Sequence, residues 1–82
     1  MADQVRIYGA DWCGDTRRAL RVLESAGVDF DYINVDENAD AEKKVIEYNK
    51  GKRRIPLVEI ASETGTQSLS VPSDTELKKA LG

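Results

Sequence analysis

The alternation of strand-like and helix-like segments at the start of the chain constrains its fold most. Strand-prone residues run from Gln4 to Gly9. From about Gly14, apolar residues recur at three- and four-residue spacing up to Gly27, a pattern typical of a helix with a glycine stop. A second strand is predicted over Phe30–Val35. A strand, a helix and a strand in this order predict two parallel strands joined by a right-handed crossover.

The rest of the chain continues the alternation and ends in a hairpin and a helix. The predicted segments are a helix over Ala39–Lys50, a strand over Leu57–Ala61, a turn at Thr64-Gly65, a strand over Gln67–Val71 and a helix over Ser73–Leu81. Asn38 or Asp40 can cap the first of these helices, and Ser73 with Glu76 forms a capping box for the second. We therefore expect one α/β domain over residues 1–82, with a four-stranded mixed sheet and three helices in the order β-α-β-α-β-β-α.

Charge and hydropathy exclude several classes of function. The chain has 12 basic and 15 acidic residues, for a formal net charge of −3, which argues against a nucleic-acid-binding protein. No apolar run approaches the roughly 18 residues that a membrane span needs. No charged start leads into an apolar stretch, so we expect neither a signal peptide nor a membrane partner.

The counts of histidine and cysteine exclude more. The chain has no histidine, which removes Ser-His-Asp and Cys-His nucleophile systems and every His-ligated metal site. It has one cysteine, Cys13, so an intrachain disulfide, a Cys₄ zinc site and a C-x-x-C dithiol are impossible. A small domain without disulfides is expected in a reducing compartment, here the cytoplasm.

Cys13 lies where the first predicted strand ends and the first helix begins. The unpaired N–H groups of a helix N-terminus carry partial positive charge and favour the thiolate, which is the nucleophilic form of cysteine. The alternative is a buried, inert cysteine, because free cysteine is among the most buried residue types. A turn that contains Gly14 and an exposed Trp12 favours the reactive interpretation.

A proline and a basic cluster form the second candidate feature. Ile55-Pro56 precedes the third strand, and such a proline is as often a simple edge or turn residue. A cis bond there would instead place the Ile55 backbone opposite Cys13, open to an extended, peptide-like thiol. The preceding cluster of Lys52, Arg53 and Arg54 is either solvated loop charge or a contact for the polar end of such a thiol.

Together these features resemble the glutaredoxin branch of the thioredoxin fold, and within it the short mycoredoxin-like members. The resemblance covers essentially the whole chain. It rests on the strand with Tyr8, the segment Trp12-Cys13-Gly14-x-x-Arg17-Arg18, the segment Asn49-x-Gly51-x-Arg53-x-Ile55-Pro56-x-Val58, and Pro72-Ser73 before the last helix.

The resemblance implies thiol–disulfide exchange with a low-molecular-weight thiol, mycothiol or glutathione, and neither a metal nor a tightly bound cofactor. It implies that Cys13 is the nucleophile and that the backbone of Ile55 and Pro56 pairs with the bound thiol. The expected thiol-binding residues also include Trp12, Gly14, Arg53, Ser73 and Asp74. The last two begin a helix, and a helix N-terminus binds anions on physical grounds alone.

Three departures from the family pattern refine this expectation. Thr16 occupies the position of the resolving cysteine, so the site is a monothiol Cys-Gly-Asp-Thr, in which Thr16 can donate a hydrogen bond to the Cys13 thiolate. Ala10 replaces a lysine, and Val71-Pro72 replaces two glycines. The last two weaken the case for glutathione in particular.

The leading interpretation is a monomeric, monothiol oxidoreductase that removes a small thiol from protein mixed disulfides. One alternative is an iron–sulfur carrier, because monothiol glutaredoxins with a Cys-Gly-Phe-Ser motif bridge a cluster. Cys13 and Gly14 match only the first two positions of that motif. The other alternative is an inactive domain that only binds partners.

Overall fold

The computed structural model describes residues 4–62 and 65–81, and their elements follow the predicted order. The elements are β1 Gln4–Gly9, α1 Gly14–Ser25, β2 Asp31–Asn34, α2 Ala39–Tyr48, β3 Leu57–Ser62, β4 Gly65–Ser70 and α3 Asp74–Leu81. The four strands form one mixed sheet in the order β2-β1-β3-β4. The β1–β2 pair is parallel, as the crossover requires, and the other two pairs are antiparallel.

Side chains of the two central strands, β1 and β3, point alternately to the two faces of this sheet. Ile7 and Val58 point to one face, where residues of α1 and α3 pack on them. Tyr8 and Leu57 point to the other face, where α2 packs with its buried residues Ala41 and Val45 among them. Successive residues of a strand point to opposite faces, so two short strands supply the centre of both core clusters.

The caps confirm the local signals of the sequence. The Asn38 side chain accepts a hydrogen bond from the Ala41 N–H at 3.0 Å, which selects Asn38 over Asp40 as the cap of α2. At the start of α3, the Ser73 hydroxyl accepts from the Glu76 N–H at 3.2 Å. The Ser73 N–H in turn donates to the Glu76 carboxylate at 3.0 Å, which completes the predicted capping box.

The element boundaries differ from the predictions by one or two residues. β2 is shorter than the predicted Phe30–Val35, although both end residues still pack on the core. β4 begins at Gly65 because this residue pairs with Ser62 of β3. Thr64 of the predicted turn lies outside the described residues. β4 ends before Val71, whose φ of 46° is a left-handed conformation that does not continue a strand.

Candidate functional site

Cys13 is the N-cap of α1, as the sequence predicted. Its backbone is extended, its N–H donates to the Ala10 carbonyl at 3.1 Å, and its carbonyl accepts the Arg17 N–H at 3.0 Å. The residue is half-buried, so its sulfur is accessible and is not part of the core. The unpaired N–H groups of the first turn of α1 lie beside it.

The Ile55-Pro56 bond is cis and lies opposite this sulfur. Cys13 Sγ is 4.0 Å from the Ile55 carbonyl oxygen, to which the thiol can donate. Pro56 is buried, and its carbonyl accepts the Val71 N–H at 2.8 Å, which connects this segment to the end of β4. The expected position of the Ile55 backbone is thus confirmed, and the simple edge or turn interpretation of Pro56 is not.

Thr16 lies beneath the site and is fully buried. Its hydroxyl accepts a hydrogen bond from the Ala10 N–H at 3.4 Å and so faces the end of β1. The expected contact with the Cys13 sulfur is not among the hydrogen bonds of residues 4–62 and 65–81. In the structure, Thr16 supports the turn that carries Cys13, because it satisfies a buried N–H group of that turn.

A network of four side chains forms one wall of the site. Trp12 is 67% exposed, and its indole N–H donates to the Asp36 carboxylate at 2.6 Å. Arg53 forms ion pairs with Asp36 and, at 2.8 Å, with Glu42, and its guanidinium lies 5.9 Å from the centre of the Trp12 ring. The hydrogen bond from Trp12 is the main cause that lowers the pKa of Asp36, and the bond from Arg53 acts in the same direction.

This network changes the interpretation of two groups of charges. Sequence reasoning assigned Arg53 to the bound thiol, whereas its guanidinium is already paired with two carboxylates. Asp36 and Glu42 lie just before α2 and in its first turn, where acidic residues commonly complement the helix dipole, yet both pair with Arg53 in the wall beside Trp12. A signal for Asp36 was present, because the segments that follow two adjacent parallel strands lie at the same edge of a sheet.

The segment before Cys13 is also tied to β2. The Tyr32 hydroxyl donates to the Asp11 carboxylate at 2.7 Å. Partial burial raises the pKa of Tyr32, and the hydrogen bond to Asp11 raises it further, so the phenol stays protonated and keeps donating. Together with the bond from Trp12 to Asp36, this contact anchors both residues that precede Cys13.

Ser73 and Asp74 lie at the start of α3 and connect it to α1. The Ser73 hydroxyl is used as the helix cap described above. Asp74 forms an ion pair with Arg18 at 3.3 Å, and Arg18 also pairs with Asp15 at 3.0 Å. Both residues predicted to bind the thiol therefore have intramolecular partners.

The assembled site holds an accessible thiol at a helix N-terminus, a backbone carbonyl facing it, and an exposed aromatic ring beside it. Such an arrangement can present a thiolate to a disulfide and hold an extended thiol along the Ile55 backbone. Within residues 4–62 and 65–81, no group of three His, Cys, Asp or Glu side chains is arranged to hold a metal ion. None of the helices in that part of the chain is long and apolar enough to cross a membrane.

Comparisons with known proteins identify relatives of this chain. The family model described as Glutaredoxin matches residues 5–64. Mycoredoxin 1 of Corynebacterium glutamicum is 37% identical over 60 residues, which are 73% of each chain. Among solved structures, the glutaredoxin-like NrdH-redoxin of Escherichia coli superposes with a TM-score of 0.73 at 28% identity, over 93% of this chain and 92% of that one.

A glutaredoxin of Archaeoglobus fulgidus superposes with a TM-score of 0.67 at 25% identity, over 94% of this chain and 84% of that one. The sequence and the overall fold thus agree with the same set of relatives. The chain belongs to the glutaredoxin family.

Proposed function

We propose that the protein is a monothiol thiol–disulfide oxidoreductase that removes a low-molecular-weight thiol from protein mixed disulfides. The observation that carries this proposal is the position of the single cysteine: Cys13 caps α1, is half-buried and faces the Ile55 carbonyl at 4.0 Å. Membership of the glutaredoxin family supports the thiol–disulfide chemistry. The identity to Mycoredoxin 1 makes mycothiol the first co-substrate to test, and glutathione the second.

The proposed cycle has two exchange steps, each of which keeps the number of thiolates constant. The Cys13 thiolate attacks the sulfur of the small thiol within the mixed disulfide, and the substrate protein leaves as a thiolate. A new disulfide now joins Cys13 to the small thiol. A second molecule of the small thiol, as its thiolate, attacks that disulfide and leaves as the oxidised dimer, which restores the Cys13 thiolate.

The surrounding residues are proposed to bind rather than react. The Ile55 backbone, placed by Pro56, would pair with the extended thiol, and Trp12 and Gly14 would flank it. Arg53 would act mainly by holding Trp12 and Asp36 in place, since its charge is already paired. Ser73 and Asp74 would offer the N-terminus of α3 to an anionic group of the thiol. Thr16 would support the Cys13 turn through its hydrogen bond with Ala10. It carries no thiol, so it would not resolve a disulfide.

The same proposal includes a monomer that acts in the cytoplasm. One cysteine per chain is sufficient for both exchange steps, so no second subunit has to supply a reacting group. A reducing compartment would keep that cysteine free and supply the small thiol.

Substitutions of Cys13 and Thr16 test the mechanism. Cys13→Ser should abolish turnover of a peptide–mycothiol mixed disulfide, because no other thiol can replace it. The natural chain should turn over this substrate but reduce the disulfides of insulin poorly. Thr16→Cys should gain insulin reduction, because residues three apart at a helix start lie within bridging range of Cys13. Thr16→Ser, which introduces no thiol, is the matched control and should gain nothing.

Three outcomes would contradict the proposal in different ways. Equal insulin reduction by the natural chain and Thr16→Cys would show that the absence of a resolving thiol has no consequence. Visible absorbance after anaerobic reconstitution with iron and sulfide, without disulfide turnover, would favour the iron–sulfur carrier. If no disulfide is turned over and no cluster forms while Cys13 remains alkylatable, the protein is a binding module.

A further inference from the structure

A basic groove runs along the exposed surface of α1 and begins beside the nucleophile. It has a volume of about 320 Å³ and is lined by Gly14, Arg17, Arg18 and Arg21. Gly14 directly follows Cys13, so one end of this arginine groove lies next to the residue that carries the nucleophile. Arg17 and Arg21 are four residues apart and therefore lie on the same face of the helix.

Two of the three arginines have no ion pair within the part of the chain that the structure describes. Arg18 forms ion pairs with both Asp15 and Asp74, so its charge is already balanced. Arg17 and Arg21 are exposed, and neither has an acidic partner within 4 Å among residues 4–62 and 65–81. Two unpaired guanidinium groups beside a reactive cysteine leave ten N–H donors available to a partner.

Four acidic side chains near Cys13 are, in contrast, paired with arginines. Asp15 and Asp74 pair with Arg18 on the α1 side, and Asp36 and Glu42 pair with Arg53 on the Trp12 side. The chain as a whole has a formal net charge of −3. Arg17 and Arg21 therefore form a local positive patch beside Gly14, although the net charge of the chain is negative.

We infer that the arginine groove docks an acidic segment of the substrate protein. This segment lies next to the substrate cysteine that is in mixed disulfide with the small thiol. This inference rests on the proposed function and names a substrate class for it. Aspartate and glutamate carboxylates are the groups that guanidinium binds bidentately. Because both arginines are exposed, the groove acts mainly on the rate of encounter, and salt should weaken its effect.

The test compares two peptides with one cysteine each, in mixed disulfide with mycothiol. They differ only in four residues beside that cysteine, which are glutamate in one and glutamine in the other. In 0.1 M sodium chloride we expect the natural chain to have a kcat/KM about three- to tenfold higher for the glutamate peptide. In 0.5 M sodium chloride, where the Debye length is about 4 Å, this ratio should approach one.

Arg21→Glu is the informative variant. Arg21 lies about 12 Å along the helix from Cys13, beyond the Debye length of about 10 Å at 0.1 M salt, so its charge acts weakly on the sulfur itself. The ratio between the two peptides should fall to one or below in this variant. Lys43→Glu is the matched control and should keep the natural ratio, because Lys43 is an exposed residue of α2, on the opposite face of the sheet.

The results distinguish failure of the docking inference from failure of the proposed function. If the natural chain turns over both peptides at equal rates, or Arg21→Glu keeps the natural ratio, the docking inference is wrong and the proposed function stands. If Lys43→Glu loses the preference as fully as Arg21→Glu, the effect belongs to the net charge and the groove is again refuted. If the natural chain turns over neither peptide, the proposed function fails and the inference fails with it.

Discussion

Gly9 is the residue that lets α1 begin against the end of β1, and its replacement by alanine tests the packing beneath Cys13. A Cβ atom at this position would lie 2.4 Å from Thr16 Cγ2, 2.5 Å from Thr16 Oγ1 and 3.0 Å from Thr16 Cβ. Thr16 is fully buried, and its hydroxyl accepts the Ala10 N–H. The threonine therefore has no open space into which it could rotate, and the backbone must move.

The cost of Gly9→Ala follows from this overlap. Forcing an extra methyl into a well-packed site costs about 1–3 kcal/mol. For a domain of this size, a loss of about 2 kcal/mol lowers the Tm by roughly 8–16 °C. Gly14→Ala is the matched control, because its Cβ would meet no atom within 4 Å and would lie in the first turn of α1. We expect this variant to be as stable as the natural chain or more stable by up to about 1 kcal/mol.

Urea unfolding of a double-mutant cycle measures the contact directly. Thr16→Ala removes the two closest atoms, so Gly9→Ala should cost at least about 1 kcal/mol less in that background than in the natural chain. The reasoning is refuted if Gly9→Ala leaves the free energy of unfolding unchanged, or if its cost is the same in both backgrounds. Either result would mean that Gly9 and Thr16 do not set the position of α1.

The remaining predictions concern the hydrogen bond between Trp12 and Asp36 and the end of β4. The pKa of Asp36 is lowered from its ordinary value of 3.8, mainly by the hydrogen bond from Trp12. This hydrogen bond therefore persists at pH values above 3.8 and is lost as the pH falls through the lowered pKa. The fluorescence of Trp12, the single tryptophan, should therefore stay constant from pH 7 to about 4 and change only below; a transition near pH 5 to 6 would contradict the assignment. Val71→Gly should be more stable in urea than Val71→Ala by about 1 kcal/mol, because residue 71 has a φ of 46° that only glycine adopts without strain, and the reverse order would count against that conformation.

The local part of the structure was readable from neighbouring residues. Ser73 with Glu76 and Asn38 cap their helices as predicted, because a cap acts within three residues. The position of Cys13 at a strand-to-helix junction was equally local, since the apolar period changes on either side of it. The absence of a second cysteine and of histidine decided which chemistry was possible before any fold was known.

The walls of the site were decided by strand pairing. Trp12 and Asp36 are 24 residues apart, and they meet because β1 and β2 are parallel neighbours in register. Arg53 reaches both from the segment before β3, and so its charge is taken by Asp36 and Glu42. No local pattern distinguishes a paired arginine from one that is free to bind a ligand.

The direction in which a side chain points could also not be predicted from the sequence. The sequence allowed Thr16 to donate a hydrogen bond to the sulfur, whereas in the structure its hydroxyl faces Ala10, where Gly9 leaves space for it. The same holds for the charges of α1: Arg18 is neutralised by Asp74 from a helix more than 50 residues later in the chain, while Arg17 remains unpaired in the part that the structure describes. Propensities and caps act over a few residues, whereas the pairing of charges depends on which distant elements the packed core brings together.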